Sequence, residues 1–497
     1  MELRKRAQGG WATLCRLSQQ REESTDVIVP DVSPDVFTVL SVTAACTLRE
    51  TTLREGHAEL AGSAEVLVLY TSEEEKVCTL RASLPFRHGL EAAGCGEKCA
   101  AQARVEAAAA QAAVLNPRKL SLRVTLAEEL EAWQERPFEL CEGLDGAAEE
   151  GLQCRRQELT CTTLAAVAVK QVNFTEDLRL RGEAAAGGLL LRTAAEWQIE
   201  ETRVMANKLL VRGTAAVQAV TVTDGGAFAG SCTYSLPFSQ MIECDGAAPE
   251  DRAEITAVTE GLECLLSPGE DGPRLSLNLT GTLAARLWRE QTLQAVTDFF
   301  STRCASDFER APVAAELRPE EIEARGEVSE PLEGAPAQVC DWSCCTGAER
   351  LPDGGQLCRY WFRILGRAED GTLRTVTHRC EVRTELENVL ACAARAENVR
   401  FAPADGGLTL AFTAVAAGLR APERTLSQIT AGRLDPQQPR RGPEPGTLLL
   451  RAVGTEESVW SIAKQYGVPP ELLRTANKLA PDAALTPGQL VIVPFAG

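Results

Sequence analysis

A pattern typical of β-strands recurs along most of this chain at a spacing of about 150 residues, too long for a solenoid and close to the size of one domain. The tetrapeptide Ser-Leu-Pro-Phe stands at residues 83–86 and again at residues 235–238. An apolar run suited to a strand precedes each copy, at Glu65–Tyr70 and at Ala216–Val222. The repetition predicts tandem domains of one architecture, because equivalent segments of a repeat share a fold.

Strict alternation of apolar and polar residues follows a turn in each of three units. Period two is the signature of a half-buried strand, since successive side chains point to opposite faces. The third unit lacks the Leu-Pro-Phe element and has Glu381–Leu386 in its place. The turns and their alternating segments are Asn116-Pro117 before 120–124, Ser267-Pro268 before 275–279, and Ala402-Pro403 before 408–412.

In one segment, the helix propensity of the residues disagrees with the strand that the repeat predicts. Glu97–Leu115 is rich in alanine, the strongest helix former. Its counterparts in the other units, Ala253–Leu266 and Val389–Phe401, contain more β-branched and aromatic residues. We predict strands for all three segments, because tertiary context overrides a weak propensity.

The units resemble SPOCS domains, the all-β modules of bacterial spore-coat proteins. The resemblance is carried by the opening Val27–Val36, the strand pair from Glu55-Gly56 to Tyr70, Leu84-Pro85-Phe86 and Asn116-Pro117. It implies a mainly β protein with tandem sandwich-like SPOCS repeats. We place these repeats at residues 25–145, 146–310 and 311–432, the last being divergent.

The C-terminal segment predicts the order strand, helix, helix, strand. Leu448–Val453 is a short apolar run, and the apolar positions from Val459 to Tyr466 follow helical spacing. Ser458 is a candidate N-cap and Gly467 a candidate left-handed C-terminal residue. Pro469-Pro470 is expected to open the second helix, because proline is tolerated only in the first turn.

This segment resembles a LysM domain, a small α+β (βααβ) fold, which we place at residues 447–497. LysM domains usually bind N-acetylglucosamine polymers through the loops before the first helix and after the second. The matching residues are Trp460, Ile462-Ala463, Tyr466-Gly467-Val468, Asn477, Leu479, and Pro487-Gly488 through Leu490, Ile492 and Pro494.

The first of those loops departs from the family pattern. Glu456-Glu457-Ser458 replaces the usual Gly-Asp-Thr, and Arg451 replaces a leading tyrosine. Two adjacent carboxylates form a poor sugar cradle, so protein binding by the same fold is favoured over glycan binding. The binding surface predicted for either ligand comprises Ser458, Trp460, Asn477, Lys478 and Leu479, with Trp460 partly exposed as an anchor.

SPOCS repeats followed by one LysM domain resemble the clostridial spore-coat morphogenetic proteins of the SipL type. In that family the LysM domain is thought to bind the coat ATPase that polymerises on the forespore. The resemblance implies a non-enzymatic scaffold that docks this ATPase or another spore-coat protein. The alternative is a peptidoglycan-binding protein of the cell envelope or spore cortex.

A proline-rich linker at residues 433–446 is predicted to join the two parts. Leu434–Gly446 contains four prolines and no apolar periodicity, which is typical of an extended tether. Such a tether lets the LysM domain and the β-domains engage different partners and raises the effective concentration when both do.

Charge and hydropathy narrow the class of protein. The net charge of −19 argues against nucleic-acid binding, which needs concentrated positive surface. The N-terminal residues lack the apolar core of a signal peptide, and no apolar run is long enough to span a membrane. We therefore expect a protein of the mother-cell cytoplasm that acts at the forespore or spore-coat surface.

The eighteen cysteines are scattered and contain no CxxC pair. Their simplest interpretation is as small buried hydrophobes in a reducing compartment, although some thiols are also candidates for later cross-linking in an oxidised assembly. Neither group considered as a metal site has the spacing of a known zinc motif, so no metal is predicted. The groups are Cys340, Cys344, Cys345 with Cys358, and His88 with Cys95 and Cys99.

No motif for catalysis or cofactor binding is found, so neither an enzyme nor a cofactor is predicted. The chain lacks a phosphate-binding loop and a dinucleotide fingerprint. We interpret His57, His88 and His378 as surface residues, because none lies in a recognisable catalytic motif. The carboxylates of Glu73–Glu75 and Glu320-Glu321 belong to charge runs typical of solvated turns.

Overall fold

The computed structural model describes residues 2–145, 151–369, 371–404, 407–423, 425–440, 448–481 and 483–494. The described chain is mainly β, as predicted, and its two α-helices both lie in the C-terminal segment. No described helix is long and apolar enough to cross a membrane.

The first unit is a sandwich of two three-stranded antiparallel sheets. The meander β3-β4-β5 packs on the sheet β2-β7-β6, and the pair β1-β8 extends the second sheet as a ribbon. Leucines, valines and alanines from both sheets form one buried core between them. The strands are β1 (Glu2–Gln8), β2 (Trp11–Ile28), β3 (Thr38–Arg54), β4 (His57–Thr71), β5 (Val77–Glu91), β6 (Ala100–Asn116), β7 (Lys119–Glu135) and β8 (Phe138–Asp145).

The second unit repeats this topology with longer strands. The meander β10-β11-β12 faces the sheet β13-β14-β9, and the outer halves of β9 and β14 form the ribbon. A short 3-10 helix, Gly182–Ala186, precedes the meander. The strands are β9 (Leu152–Arg179), β10 (Leu189–Met205), β11 (Lys208–Val222), β12 (Phe228–Glu243), β13 (Arg252–Ser267) and β14 (Arg274–Ser301).

The third unit has the same set of strands despite its divergent sequence. The meander β17-β18-β19 faces the sheet β16-β21-β20, and β15-β22 forms the ribbon. The strands are β15 (Cys304–Pro312), β16 (Glu320–Leu332), β17 (Gln338–Arg350), β18 (Gln356–Arg367), β19 (Leu373–Thr384), β20 (Val389–Ala404), β21 (Gly407–Arg420) and β22 (Ser427–Pro439).

Strand pairing differs from two of the predicted boundaries. Residues 2–24, outside the predicted first domain, already pair with β7 and β8. The predicted linker at 433–446 begins inside β22, where Leu434 pairs with Ser306. Proline spacing alone misplaces this start, because an edge strand tolerates proline where no ladder hydrogen bond is needed. Residues 441–447 lie outside the described chain.

The alanine-rich segment at 97–115 is a strand over Ala100–Asn116, as the repeat predicts. Its equivalents β13 and β20 are strands as well. Pairing with β7 along its length satisfies the backbone groups on the side of β6 that faces β7, and β6 forms an edge of its sheet.

The Leu-Pro-Phe element places an aromatic ring over a glycine of the central meander strand. Phe86 pairs with Gly62, and Phe238 pairs with Gly213. A Cβ at Gly62 would lie 2.7 Å from the Phe86 ring, so the ring occupies the space that glycine leaves. The prolines fit because β5 and β12 are edge strands.

The three units share buried clusters with one another. One cluster joins the three meanders, and a second joins the three ribbons. The first comprises Leu69, Leu191, Val220, Val222, Leu365 and Leu373. The second comprises Cys141, Leu144, Leu152, Val296, Phe299 and Ile429.

Polar contacts link strands β3, β10, β17 and β19 of the three meanders around the first cluster. Thr43 donates to the Leu191 carbonyl at 3.0 Å, and Arg192 pairs with Asp341 at 2.6 Å. The hydroxyls of Ser41 and Thr375 complete the ring at 2.7 Å. Each contact joins two different units, so the body is a closed arrangement of three sandwiches.

Candidate functional site

The C-terminal segment folds in the predicted order. It consists of β23 (Leu449–Ala452), α1 (Val459–Tyr466), α2 (Pro470–Ala476) and β24 (Leu490–Val493), with β23 and β24 paired antiparallel. Its core contains aliphatic residues from both helices and both strands.

Helix α1 has the predicted caps. The Ser458 hydroxyl accepts from the Ser461 N–H at 3.1 Å, and the Ser461 hydroxyl accepts from the Ser458 N–H at 2.8 Å, which completes a capping box. Gly467 ends the helix in the left-handed region with φ of 65°. Ser458 therefore has a structural role at the helix start.

Asn477 joins the end of helix α2 to strand β24. Its amide donates to the Leu473 and Ile492 carbonyls at 2.8 and 2.7 Å, and its oxygen accepts from the Ile492 N–H at 2.6 Å. Replacing this side chain would leave backbone groups of β24 without partners. The neighbouring Lys478 is exposed, and Leu479 packs partly against the core.

Arg451 and Glu457, which both differ from the usual LysM residues, contact each other. Arg451 forms an ion pair with Glu457, and the same carboxylate accepts from the Gly454 N–H at 2.8 Å. The hydrogen bond to Tyr466, together with the charge of Glu457, raises the pKa of Arg451. Glu456 adopts φ of 65°, the left-handed conformation natural to the glycine it replaces. The loop is thus closed by its own ion pair.

Trp460 packs against the β-strand body. Its indole Nε1 donates to Asp298 at 2.9 Å, and its ring meets Phe300 edge-on with centroids 5.2 Å apart. Phe300 is fully buried and belongs to the core of the C-terminal fold. The partial exposure predicted for Trp460 agrees with its half-buried state, but its indole faces another part of the same chain.

We call the contact of helix α1 with Asp298 and Phe300 of β14 the junction. Charged groups strengthen it. Lys464 pairs with Asp298 at 2.6 Å and lies over the Phe308 ring at 4.6 Å. Arg440, directly after β22, donates to the Lys464 carbonyl near the end of helix α1 at 2.8 Å. A cation at this position also interacts favourably with the helix dipole.

A cleft of about 630 Å³ lies between the C-terminal fold and strand β9. Ser458 and Trp460 line it, together with the loop after α2, whereas Asn477, Lys478 and Leu479 do not. The five predicted surface residues are therefore not brought together on one surface. The cleft also contains charged side chains of both signs, namely Arg155, Arg156, Arg474, Glu457 and Glu471.

An apolar face lies on the outer side of the β23-β24 sheet. Leu450 and Leu490 are 55% and 66% exposed, and Leu448, directly before β23, is 67% exposed. Ala452 pairs with Leu490, and Leu450 pairs with Ile492, so these side chains share one face. Alternation along the short strands predicts which side chains share a face. The sequence alone does not show which of the two faces is exposed to solvent.

The junction residues Asp298, Phe300 and Arg440 were not identified from the sequence. Asp298 and Phe300 lie in an apolar run near the end of β14, with no spacing relation to Trp460. Their single sequence signal is an acidic residue inside that run, and its partner is more than 160 positions away.

Two histidines interpreted as surface residues are not at the surface. The His88 side chain is 12% exposed and contacts Glu128 and Glu23, while His378 is 16% exposed beside Glu330. Burial opposes the charged form of His88, but hydrogen bonds to Glu128 and Glu23 outweigh it and raise the pKa. This charge network joins three strands of the first unit.

All eighteen cysteines are free and buried or half-buried, which fits their interpretation as small hydrophobes. Burial raises the pKa of thiols such as Cys141 and Cys161. Within the described residues, neither of the cysteine groups considered from the sequence brings three donor atoms within 4.8 Å.

Comparison with protein families matches three segments of the chain. Residues 453–494 match the LysM domain family, and residues 35–115 and 189–266 match the family described as SipL, SPOCS domain. The two SPOCS matches cover the equivalent strands β3–β6 and β10–β13. The chain therefore carries SPOCS domains followed by a C-terminal LysM domain, as predicted. No curated protein and no solved structure matches the chain.

Proposed function

We propose that this chain is a non-enzymatic scaffold of the bacterial spore coat whose LysM domain docks a coat-assembly protein at the forespore surface. The combination of SPOCS and LysM domains supports a spore-coat or peptidoglycan-binding role, since both are binding or structural families rather than enzyme families. The coat ATPase is the first candidate partner, and the mother-cell cytoplasm is the compartment in which docking takes place.

The apolar outer face of the LysM sheet carries this proposal. Leu450 and Leu490 expose large side chains on one face of a two-stranded sheet, diagonally across the strand pair, and the exposed Leu448 directly precedes β23. A contiguous apolar patch on a charged protein is typical of a protein-binding surface. Glycan recognition instead needs polar groups placed around a sugar, which this face does not provide.

The first loop and Trp460 also favour a protein partner. The Glu457 carboxylate already binds Arg451 and the Gly454 N–H, which leaves it less available to sugar hydroxyls. The Trp460 ring is engaged by Phe300 and Asp298. Of the five residues predicted for the binding surface, we retain the exposed Lys478 as a partner contact and assign the others to support of the fold.

Binding of the full chain to the coat ATPase tests the proposal. We expect the double variant Leu450→Ser, Leu490→Ser to weaken binding at least about 10-fold, because truncating apolar anchors at an interface centre costs the most affinity. The control Glu471→Ala alters an exposed side chain in the cleft and is expected to bind normally. Circular dichroism and the melting temperature check that both variants fold. Unchanged affinity of the folded double variant contradicts the proposed docking face.

Peptidoglycan binding is the second candidate, and the cleft beside Trp460 favours it. Both loops that LysM domains use for glycans contribute to this cleft. Sedimentation with insoluble peptidoglycan and chitin separates the two functions. If glycan binding is the function, the full chain sediments, Glu471→Ala weakens sedimentation, and the Leu450→Ser, Leu490→Ser variant sediments normally.

A further inference from the structure

A cluster of three different metal-binding side chains lies at one edge of the third sandwich. Glu330 is on β16, an edge strand of one sheet, and His378 and Cys380 are on β19, an edge strand of the other. Because His378 and Cys380 are two positions apart on a strand, they point to the same face. The cluster therefore bridges the two sheets at the edge of the sandwich.

The donor atoms of these residues converge. His378 Nε2 lies 2.9 Å from Glu330 Oε2, and Cys380 Sγ lies 3.9 Å from the same nitrogen. All three donor atoms lie within 4.8 Å of one another. Among the described residues, no other group of three histidine, cysteine or carboxylate side chains meets this distance.

We propose that Glu330, His378 and Cys380 bind a zinc ion that clamps the two sheets of the third unit together. Around a tetrahedral zinc ion, neighbouring oxygen, nitrogen and sulfur ligands lie about 3.4–3.6 Å apart. The observed separations of 2.9 and 3.9 Å lie on either side of this range, so shifts of about half an ångström bring these two pairs to the spacing of zinc ligands.

The chemistry of the donors selects zinc among the common ions. A thiolate and an imidazole disfavour magnesium and calcium, which prefer oxygen ligands. On binding, the Cys380 thiol releases its proton to solvent, because the thiolate is the form that coordinates. The charge of Zn²⁺ is then balanced by the Cys380 thiolate and the Glu330 carboxylate. A neutral complex suits a site in which Cys380 is only 2% exposed.

The three side chains leave one position of a tetrahedral ion open. The Glu330 side chain is 44% exposed, so solvent reaches the cluster from its side. Water fills the fourth position. The buried thiol and the 16% exposed imidazole anchor the ion from within the sandwich.

Metal titration of the chelator-treated full chain tests this site. We expect Co²⁺, used as a spectroscopic probe, to give a thiolate-to-cobalt charge-transfer band, and Zn²⁺ to displace it. Zn²⁺ is also expected to raise the melting temperature, because it binds the folded state preferentially. Cys380→Ser should abolish the band and remove one equivalent of tightly bound Zn²⁺ in equilibrium dialysis.

A second variant tests the site independently, in case Cys380→Ser does not fold. Glu330→Gln alters the most exposed ligand and is expected to weaken Zn²⁺ binding at least about 10-fold, since loss of even an outer-shell partner has such an effect. His57→Gln and Cys78→Ser, in the first unit, serve as controls with unchanged binding. The proposal is overturned if Glu330→Gln and Cys380→Ser both keep the Zn²⁺ affinity and the cobalt spectrum of the unmodified chain.

Discussion

At the scale of single residues, Trp460 is a main contact between the LysM domain and the preceding β-strands. Its position before Ile462-Ala463 is typical of the family, where an exposed aromatic ring is a candidate for ligand contact. Here its indole is bound to Asp298 and its ring to Phe300. The residue is therefore an anchor within the molecule, and the docking face proposed for a partner lies on the sheet instead.

Removing this anchor should loosen the LysM domain without unfolding the β-strand body. We expect Trp460→Ala to lower the free energy of unfolding by about 3 kcal/mol. This is near the lower end of the loss seen when large aromatic side chains are truncated, because the Trp460 side chain is only half-buried. Hydrogen exchange is expected to quicken at the amides of β14 near Phe300. Lys478→Ala, which alters an exposed side chain, is the control. Equal exchange in Trp460→Ala and the unmodified chain contradicts the assignment.

His88 should make stability depend on pH. Because the folded state raises its pKa, its contribution is complete below the ordinary histidine pKa of about 6.5 and is lost as the pH rises through the folded-state value. His88→Gln removes the charged partner of the buried Glu128 and should cost about 3 kcal/mol at acidic pH.

The difference in melting temperature between His88→Gln and the unmodified chain measures this effect. It should be largest near pH 6 and should shrink as the pH rises through the raised pKa of His88 in the folded state. His57→Gln, at an exposed position, is expected to show no such trend. A difference that stays constant across this range would mean that His88 contributes by packing alone.

At the scale of elements, the repeat is maintained by a glycine opposite each Leu-Pro-Phe phenylalanine. Gly62 and Gly213 pair with Leu48 and Ile199 at the edge of register shifts in β3 and β10. The neighbouring strand approaches so closely that a Cβ at Gly62 would lie 2.1 Å from the Thr47 carbonyl oxygen. Two units thus share a bulge, a glycine and an aromatic ring as one structural device.

Alanine at either glycine should destabilise its meander. We expect Gly62→Ala and Gly213→Ala each to cost about 1–3 kcal/mol, because a backbone oxygen cannot move away as a flexible side chain can. Gly89→Ala is a matched control on β5, since a Cβ there meets nothing within 4 Å. Chemical denaturation measures all three. A loss in Gly89→Ala equal to that in Gly62→Ala would point to general intolerance of the meander.

At the scale of the whole molecule, the three sandwiches pack against one another through shared contacts. They share the buried clusters around Leu191 and Phe299, and Gln102 of the first unit donates to the Thr256 and Thr282 carbonyls of the second at 3.0 and 2.8 Å. Separating one unit would expose these apolar and polar groups together. The sequence predicts tandem domains, and the contacts between them follow only from the structure.

Calorimetry should record one transition for the β-strand body. We expect the calorimetric and van't Hoff enthalpies of this transition to agree, because the shared clusters couple the units. Gln102→Ala, which leaves two carbonyls without this partner, should lower the midpoint by a few degrees without splitting the transition. Separate transitions for the three sandwiches would refute the coupling.

The strands, the two helices and the family of each part follow from local patterns. Alternation of apolar and polar residues predicts the strands, and Ser458 and Gly467 mark the ends of α1. The repeat predicts a strand for residues 97–115 despite their helix propensity. Each signal depends on neighbours within a few residues or on the same element recurring elsewhere. For this reason one sequence suffices to read them.

The contacts of the candidate site depended on the tertiary structure. Trp460 meets Asp298 across 162 positions, and the cluster of Glu330 with His378 spans two sheets. No periodicity connects such residues, because the distance between them is set by how sheets and units pack. The sequence by itself determined which elements form and which families they resemble. Only the packing of those elements decided which of their faces is buried, which is open to a partner, and which side chains meet.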